Sequence, residues 1–149
     1  MKKKLSALLC GAIMAVSSVS FATVPRDQVM LGDIQPGCHI DDVKKIYGNP
    51  LQVVGEKWLY KGFYIEVDDD RPNYVDEIAT EDSGFATQAG VIVGMSEDVL
   101  NENYGKADSV DIDSYNNKKE YEYYSSDRRL KMEFKVQNGI IVKISCEVR

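Results

Sequence analysis

Strict alternation of apolar and polar positions identifies the end of the chain as antiparallel β-structure. The apolar members of the two alternating runs are Leu130, Met132, Phe134, Val136, Ile140, Val142, Ile144 and Cys146. Asn138-Gly139 separates the runs, and Asn-Gly between two alternating segments is a strong hairpin signal. The pattern therefore predicts two paired strands whose apolar side chains share one face.

A second alternating region predicts another hairpin nearer the start of the chain. Its apolar members are Trp58, Tyr60, Phe63, Ile65 and Val67. The two-residue turn Lys61-Gly62 places Tyr60 opposite Phe63, so these apolar side chains share a face. Leu59 and Tyr64 then fall on the other face of the sheet, opposite each other.

Two similar phrases with helical spacing precede the strands. GCHIDDVKKIYG spans 37–48 and GMSEDVLNENYG spans 94–105, and the two share their terminal glycines, an Asp and a Tyr. Acids in the first turn favour the start of a helix, and a glycine after the last turn favours its end. The phrases predict short helices at about 39–47 and 96–104, with positive φ at Gly48 and Gly105.

The order of these elements predicts an α+β fold of two tandem repeat units. Each unit would be a helix followed by a four-stranded antiparallel sheet, with the helices on one face of the sheet. The units are expected at 23–80 and 91–149, joined by a linker at 81–90 that holds Ser83-Gly84 and Ala89-Gly90. A unit of this size buries little surface alone, so we expect the two to pack together.

The first 22 residues have the layout of a secretory signal peptide. Three lysines precede a short apolar run, and Ser20 and Ala22 supply the small residues of a cleavage site. A lipoprotein site at Cys10 is disfavoured, because Leu9 stands where a small residue is needed. We therefore expect cleavage after Ala22 and a periplasmic or secreted protein.

The charge of the chain excludes some classes of partner. The formal net charge is −6, and loss of residues 1–22 removes Lys2, Lys3 and Lys4 but no acid, which takes it to −9. An acidic protein repels nucleic acid and anionic membrane surfaces. We expect no nucleic-acid partner and, after signal cleavage, no membrane insertion.

Two cysteines remain in the predicted mature chain, and they are candidates for a disulfide. Cys38 stands near its start and Cys146 near its end, in a compartment that permits disulfides. Both fall at positions that face inward in the predicted fold. The alternative is a pair of buried free thiols, and the sequence leaves the two readings open.

No residue pattern singles out catalysis, a metal or a cofactor. Cys38 and His39, the single histidine, are neighbours whose side chains point apart at a helix start, and zinc would need further Cys or His ligands. The acidic runs at 68–70 and 108–113 lack the spacing of a calcium loop and are typical of solvated turns. We predict a non-enzymatic protein, although a small hydrolase with paired carboxylates remains an alternative.

The repeated phrase and its flanks resemble the SmpA/OmlA repeat. The marks of the first copy are Ile34, Gly37, Tyr47, Gly48, Pro50, Trp58, Tyr60, Val75 and Ile78, and those of the second are Val91, Gly94, Tyr104, Gly105, Tyr121, Tyr123, Ile141 and Ile144. Ala107 replaces the proline in the second copy. In tandem, the repeat is found in proteins similar to the β-lactamase inhibitor protein. The resemblance implies a helix-on-sheet fold that binds other proteins through its sheet.

These observations predict an exported module that binds a protein partner through an uncovered sheet face. We place Leu59, Tyr64 and, from the second unit, Tyr124 in the partner site, since apolar and aromatic side chains on a free face suit an interface. An inhibitor of an exported or foreign enzyme is the alternative within binding.

Overall fold

The computed structural model describes residues 23–149, so the predicted signal peptide at 1–22 lies outside the described residues. The elements in chain order are a 3-10 helix Arg26–Gln28, α1 Ile40–Tyr47, β1 Gln52–Val54, β2 Lys57–Leu59, β3 Tyr64–Val67, β4 Val75–Thr80, α2 Asp98–Tyr104, β5 Ser109–Asp113, β6 Lys118–Tyr124, β7 Leu130–Gln137 and β8 Ile140–Val148. Neither α-helix is long and apolar enough to cross a membrane.

All eight strands belong to one antiparallel sheet, in the order β1-β2-β3-β4-β8-β7-β6-β5. Strands β4 and β8 pair at its centre, where Thr80 lies opposite Ile144. The predicted α+β fold of two tandem helix-plus-four-strand units, with helices on one face, is therefore wrong. The fold is mostly a single eight-stranded sheet with two short helices.

The pairing of β4 with β8 has a physical reason that alternation along the chain does not reveal. A separate four-stranded sheet ending at β4 would leave a row of backbone N–H and C=O groups unpaired. Joining β4 to β8 satisfies both strands. Alternation indicates which face a side chain occupies, except where the register shift beside Lys135 and Val136 turns Ile141 to the core and leaves Ile140 and Val142, which were expected there, exposed. It does not fix which strands become neighbours.

The core lies on one face of this sheet and is continuous from β2 to β6, while the edge strands β1 and β5 are exposed. Its largest fully buried side chains include Ile65 and Ile78 from β3 and β4, and Tyr123 and Phe134 from β6 and β7. Each helix adds only a few residues, with Val43 from α1 and Leu100 and Tyr104 from α2. Because the helices are so short, strands supply most of the core.

The helix ends follow local signals. The Nδ1 atom of His39 caps α1 by accepting a hydrogen bond from the Asp41 N–H at 3.2 Å. At the start of α2 the Ser96 hydroxyl accepts a hydrogen bond from the Asp98 N–H at 3.4 Å, as expected of an N-cap serine, while Glu97 makes no capping bond. Both helices end before glycines with positive φ, 77° at Gly48 and 69° at Gly105, and this prediction is confirmed.

Candidate functional site

The sheet face turned away from the core, which we call the open face, carries two rows of side chains that cross most of the sheet. One row is Leu59, Tyr64, Ala79, Ser145, Glu133 and Glu122, and the next is Lys57, Glu66, Glu77, Glu147, Lys131 and Tyr124. Successive residues of a strand point to opposite faces. The mostly apolar residues that lie between these two rows therefore face the core. The open face is thus charged and aromatic where the other face is apolar.

Leu59 and Tyr64 lie opposite each other on the open face, as their placement in the hairpin predicted. Both are half-buried, and the neighbouring pair on the other face, Trp58 with Ile65, points to the core. A cavity of about 410 Å³ adjoins Leu59 and Tyr64 at the end of strands β2 to β4. The pair therefore forms one side of a concave patch.

Two ammonium groups hold the Tyr64 ring in place. The Nζ of Lys57 lies 4.0 Å from the ring centroid, and the Nζ of Lys143 lies 5.4 Å from it. Lys143 also donates a hydrogen bond to the Tyr64 hydroxyl at 2.8 Å. Cations over an aromatic face are attracted by its quadrupole, so the ring is fixed in the orientation that the structure shows.

Tyr124 occupies the open face as well, but far from the Leu59–Tyr64 pair. Strands β4, β8 and β7 separate β3 from β6, which places the two tyrosines roughly 19 Å apart at the usual strand spacing. The Tyr124 ring lies under the guanidinium of Arg149 at 4.2 Å, and its hydroxyl donates to Glu122 at 2.8 Å. The residues that the sequence grouped into one site therefore form two patches.

The centre of the open face is an ion-pair network that sequence reasoning missed. The Nζ of Lys131 contacts carboxylate oxygens of Glu122 at 2.8 Å, Glu147 at 2.8 Å and Glu133 at 3.2 Å. Burial alone would lower the pKa of Lys131, but hydrogen bonds to these carboxylates outweigh burial and raise the pKa. The only signal in the sequence is the charge at alternate positions of β6, β7 and β8.

A second ion pair, between Lys143 and Glu77, lies beside this network and contacts Tyr64. The Nζ of Lys143 lies 3.5 Å from a carboxylate oxygen of Glu77. Burial would lower the pKa of Lys143, and the hydrogen bond to Tyr64 together with the charge of Glu77 raises it instead. Burial also raises the pKa of Glu77 against the opposing effect of Lys143. The side chains at the middle of the open face thus hold one another in fixed positions.

Three glutamates of the network approach one another closely enough to hold a cation. One oxygen each of Glu120, Glu122 and Glu133 lies within 4.8 Å of the other two. Lys131 and Lys135 already contact these carboxylates, the latter at 3.4 Å from both Glu120 and Glu133. A metal ion would have to displace two ammonium groups, so the cluster suits ion pairing better than metal binding.

Within residues 23–149, Cys38 and Cys146 are both free thiols. Cys38 is half-buried and Cys146 fully buried, and burial raises the pKa of Cys38 to about 11 and that of Cys146 further. His39 does not activate the neighbouring thiol, since its Nδ1 accepts the capping hydrogen bond of α1. Neither thiol has the environment of a nucleophile, which would lower its pKa.

Comparison with known proteins finds solved structures of similar fold but no family to which the chain can be assigned. No family model and no curated protein matches it. Three solved structures are similar to the chain. The first is the DUF4309 family protein YjgB from Bacillus subtilis subsp. subtilis str. 168, with a TM-score of 0.55 and 17% identity over 74% of this chain and 78% of that one.

The other two likenesses are weaker. An extracellular protein containing a SCP domain from Bacillus anthracis str. Ames has a TM-score of 0.49 and 7% identity, over 99% of this chain and 50% of that one. A candidate β-lactamase inhibitor protein from Streptococcus mutans has a TM-score of 0.32 and 17% identity, over 85% and 90%. At these sequence identities the similarity concerns the fold alone. Membership of the SmpA/OmlA repeat family is not confirmed.

Proposed function

We propose that the chain is an exported, non-enzymatic module of the bacterial envelope that binds a protein partner through its open face. The observation that carries the proposal is the Leu59–Tyr64 pair beside a concave patch, on the face that the core does not use. Leu59 and Tyr64 are only half-buried there. The pair is available for a partner.

The arrangement around Tyr64 favours tight binding. Lys57 and Lys143 already restrict the ring, so less side-chain entropy would be lost when a partner covers it. Interfaces typically place aromatic anchors at their centre and charged residues at their rim. Tyr64 with the surrounding lysines and glutamates has that composition.

The charge of the open face indicates what kind of partner surface would suit it. Its carboxylates outnumber its basic groups, with Glu66, Glu77, Asp111, Asp113, Glu120, Glu122, Glu133 and Glu147 against Lys57, Lys118, Lys131, Lys135, Lys143 and Arg149. Complementary potentials speed association and reject partners of like charge. A partner that presents basic groups around an apolar centre is therefore favoured.

The inhibitor alternative uses the same face, with an exported or foreign enzyme as the partner. The two versions differ in the identity of the captured protein and in the effect on its activity. The test therefore begins with identification of the partner by crosslinking and affinity capture from an envelope extract, with residues 23–149 as bait. The purified partner is then titrated against variants of the bait, and any enzymatic activity of the partner is assayed with and without the bait.

The deciding variant combines Leu59→Ala with Tyr64→Ala. It should weaken binding by about thirtyfold, as loss of an interface hot spot does. The matched control combines Ile46→Ala with Val53→Ala, two similarly apolar side chains that are 52% and 51% exposed and lie off the open face. Equal affinity of the partner for wild type and the Leu59/Tyr64 variant would refute the proposal.

A further inference from the structure

Strand β5 forms one outer edge of the sheet. It pairs with β6 on one side, and no strand of residues 23–149 covers its other side. All five of its residues, Ser109–Asp113, are exposed. An uncovered strand edge presents unpaired backbone N–H and C=O groups, to which an extended peptide can add as a further strand.

The side chains of β5 divide by chemistry between the two faces. Val110 and Ile112 lie on the core side, opposite Tyr121 and Lys119, and are 42% and 58% exposed. Asp111 lies on the open face, opposite Glu120. The edge is therefore apolar on one side and acidic on the other.

A cavity adjoins the edge on each side. The one on the core side has a volume of about 350 Å³, and its apolar lining includes Leu100, Ala107, Val110, Tyr121 and Tyr123. The one on the open face has about 360 Å³ and is lined by charged residues of both signs, with Asp111, Asp113 and Glu120 beside Lys118, Lys119 and Lys135. Because side chains alternate along a strand, an added strand would direct every second residue toward each cavity.

Carboxylates on the acidic side of β5 can form ion pairs with a partner. Within the described part of the chain Asp111 forms no ion pair, whereas Glu120 is 3.4 Å from Lys135. Asp113 accepts hydrogen bonds from the following turn, through the N–H groups of Tyr115 and Asn116, and remains exposed. Asp111 and Asp113 thus place two carboxylates along the outer edge.

The same carboxylates disfavour a second copy of this strand as the occupant. Antiparallel self-pairing centred on Asp111 would set that residue opposite its own copy, and centring on Ile112 would set Asp111 opposite Asp113. Like charges directly opposite across a strand pair are destabilising. A basic strand in the same position would form opposite-charge pairs instead.

We propose that the outer edge of β5 is a docking site for an extended peptide segment in which basic and apolar residues alternate. The basic side chains would lie beside Asp111 and Asp113, and the apolar ones beside Val110 and Ile112. Backbone hydrogen bonds along the edge would give the affinity and the alternation would give the selectivity. This site lies on the β5 edge, at the opposite end of the sheet from the Leu59–Tyr64 patch.

The probe for this site is a blocked synthetic peptide in which lysine and valine alternate over roughly seven residues, the length of an ordinary strand. Amide chemical shifts of the protein should move at 109–113 on titration. Two further peptides carry N-methyl groups on either the valine or the lysine amides. At least one of them should bind about tenfold more weakly, because it loses two or more backbone hydrogen bonds to the edge.

Protein variants test the charge contribution. Asp111→Asn should weaken the peptide about threefold, the value of one cross-strand ion pair, while the matched control Asp70→Asn should leave it unchanged. The Leu59→Ala and Tyr64→Ala variant should bind the peptide as wild type does, so failure here and failure of the open-face proposal are distinguishable. Three results would each overturn the proposal: equal binding of all three peptides, shift changes confined to the Leu59–Tyr64 patch, or a dimer in sedimentation that Asp111→Lys abolishes.

Discussion

Ile78 of β4 lies directly opposite Cys146 of β8, and this fully buried pair sits at the junction of strands β1–β4 with strands β5–β8. The core packs against the same face on both sides of the junction. Neither set of strands can unfold alone without exposing the edge of β4 or β8 and part of this core. We therefore expect the described chain to unfold as one cooperative unit.

A conservative change in β8 tests this expectation through a reporter in β2. Ile141→Val removes one buried methyl group and should destabilise the protein by about 1 kcal/mol. Trp58 is the single tryptophan, so its fluorescence reports on β2, whereas far-UV circular dichroism reports on the whole sheet. Both denaturation midpoints should fall together.

The control for this experiment is Ile112→Val, which alters a side chain that is 58% exposed and should shift neither midpoint appreciably. A Trp58 midpoint that stays in place while the circular dichroism midpoint moves would mean that the sheet unfolds in two parts.

The state of the cysteines gives a second prediction. Since burial raises the pKa of Cys38 to about 11, roughly one molecule in a thousand carries this thiolate at pH 8, and alkylation of the native protein should be slow. In denaturant without reductant both Cys38 and Cys146 should react and add two alkyl groups in mass spectrometry. The opposite result would be protein from an oxidising compartment in which neither thiol takes up label in denaturant. Such protein would contain the Cys38–Cys146 disulfide instead.

Local signals explain which features could be predicted from the sequence. Alternation placed Leu59 and Tyr64 on the face away from the core, because the face of a residue depends only on its position within the strand where the pairing has no bulge. The glycine that follows α1 predicted the end of that helix for a similar reason. Both signals are contained in a few neighbouring residues.

The features that the sequence did not reveal depend on which strands become neighbours. The contacts of Lys131 with Glu122 and Glu147 require β6, β7 and β8 to lie side by side. The pairing of β4 with β8 turned two expected sheets into one, and it also set Tyr124 four strands away from Tyr64. Alternation within a strand carries no information about any of these distances.

The glycine after α1 offers a test of backbone strain without steric clash. Gly48 has φ of 77° and ψ of −158°, a region that residues with a Cβ avoid, yet a Cβ built there meets no atom within 4 Å. Gly48→Ala and Gly48→Val should therefore both destabilise the protein by about 1 kcal/mol or more, through conformation alone. Thermal unfolding measures the effect, and a loss that grows steeply from alanine to valine would indicate crowding instead.

The last prediction concerns the contact that fastens the start of α2 to β6. Glu97 accepts hydrogen bonds from Lys119 at 2.8 Å and 3.0 Å and from the Tyr121 hydroxyl at 2.5 Å. The hydrogen bond from Lys119, followed by that from Tyr121, lowers the pKa of Glu97 below its ordinary value of 4.5. A carboxylate whose pKa is lower in the folded state stabilises the fold above its unfolded pKa and loses that contribution as pH falls through the folded value.

Glu97→Gln should therefore destabilise the protein by about 1 kcal/mol near pH 7, since charge-assisted bonds become neutral ones. The difference from wild type should shrink as pH falls below 4.5 and vanish once the pH lies below the lowered pKa of Glu97 in the folded protein. Urea denaturation across this range measures it, with Glu102→Gln as the control, because Glu102 is exposed on the same helix. A deficit of Glu97→Gln that does not shrink at all as the pH is lowered below 4.5, as far as the protein remains folded, would show that the charge of Glu97 does not stabilise the contact between α2 and β6.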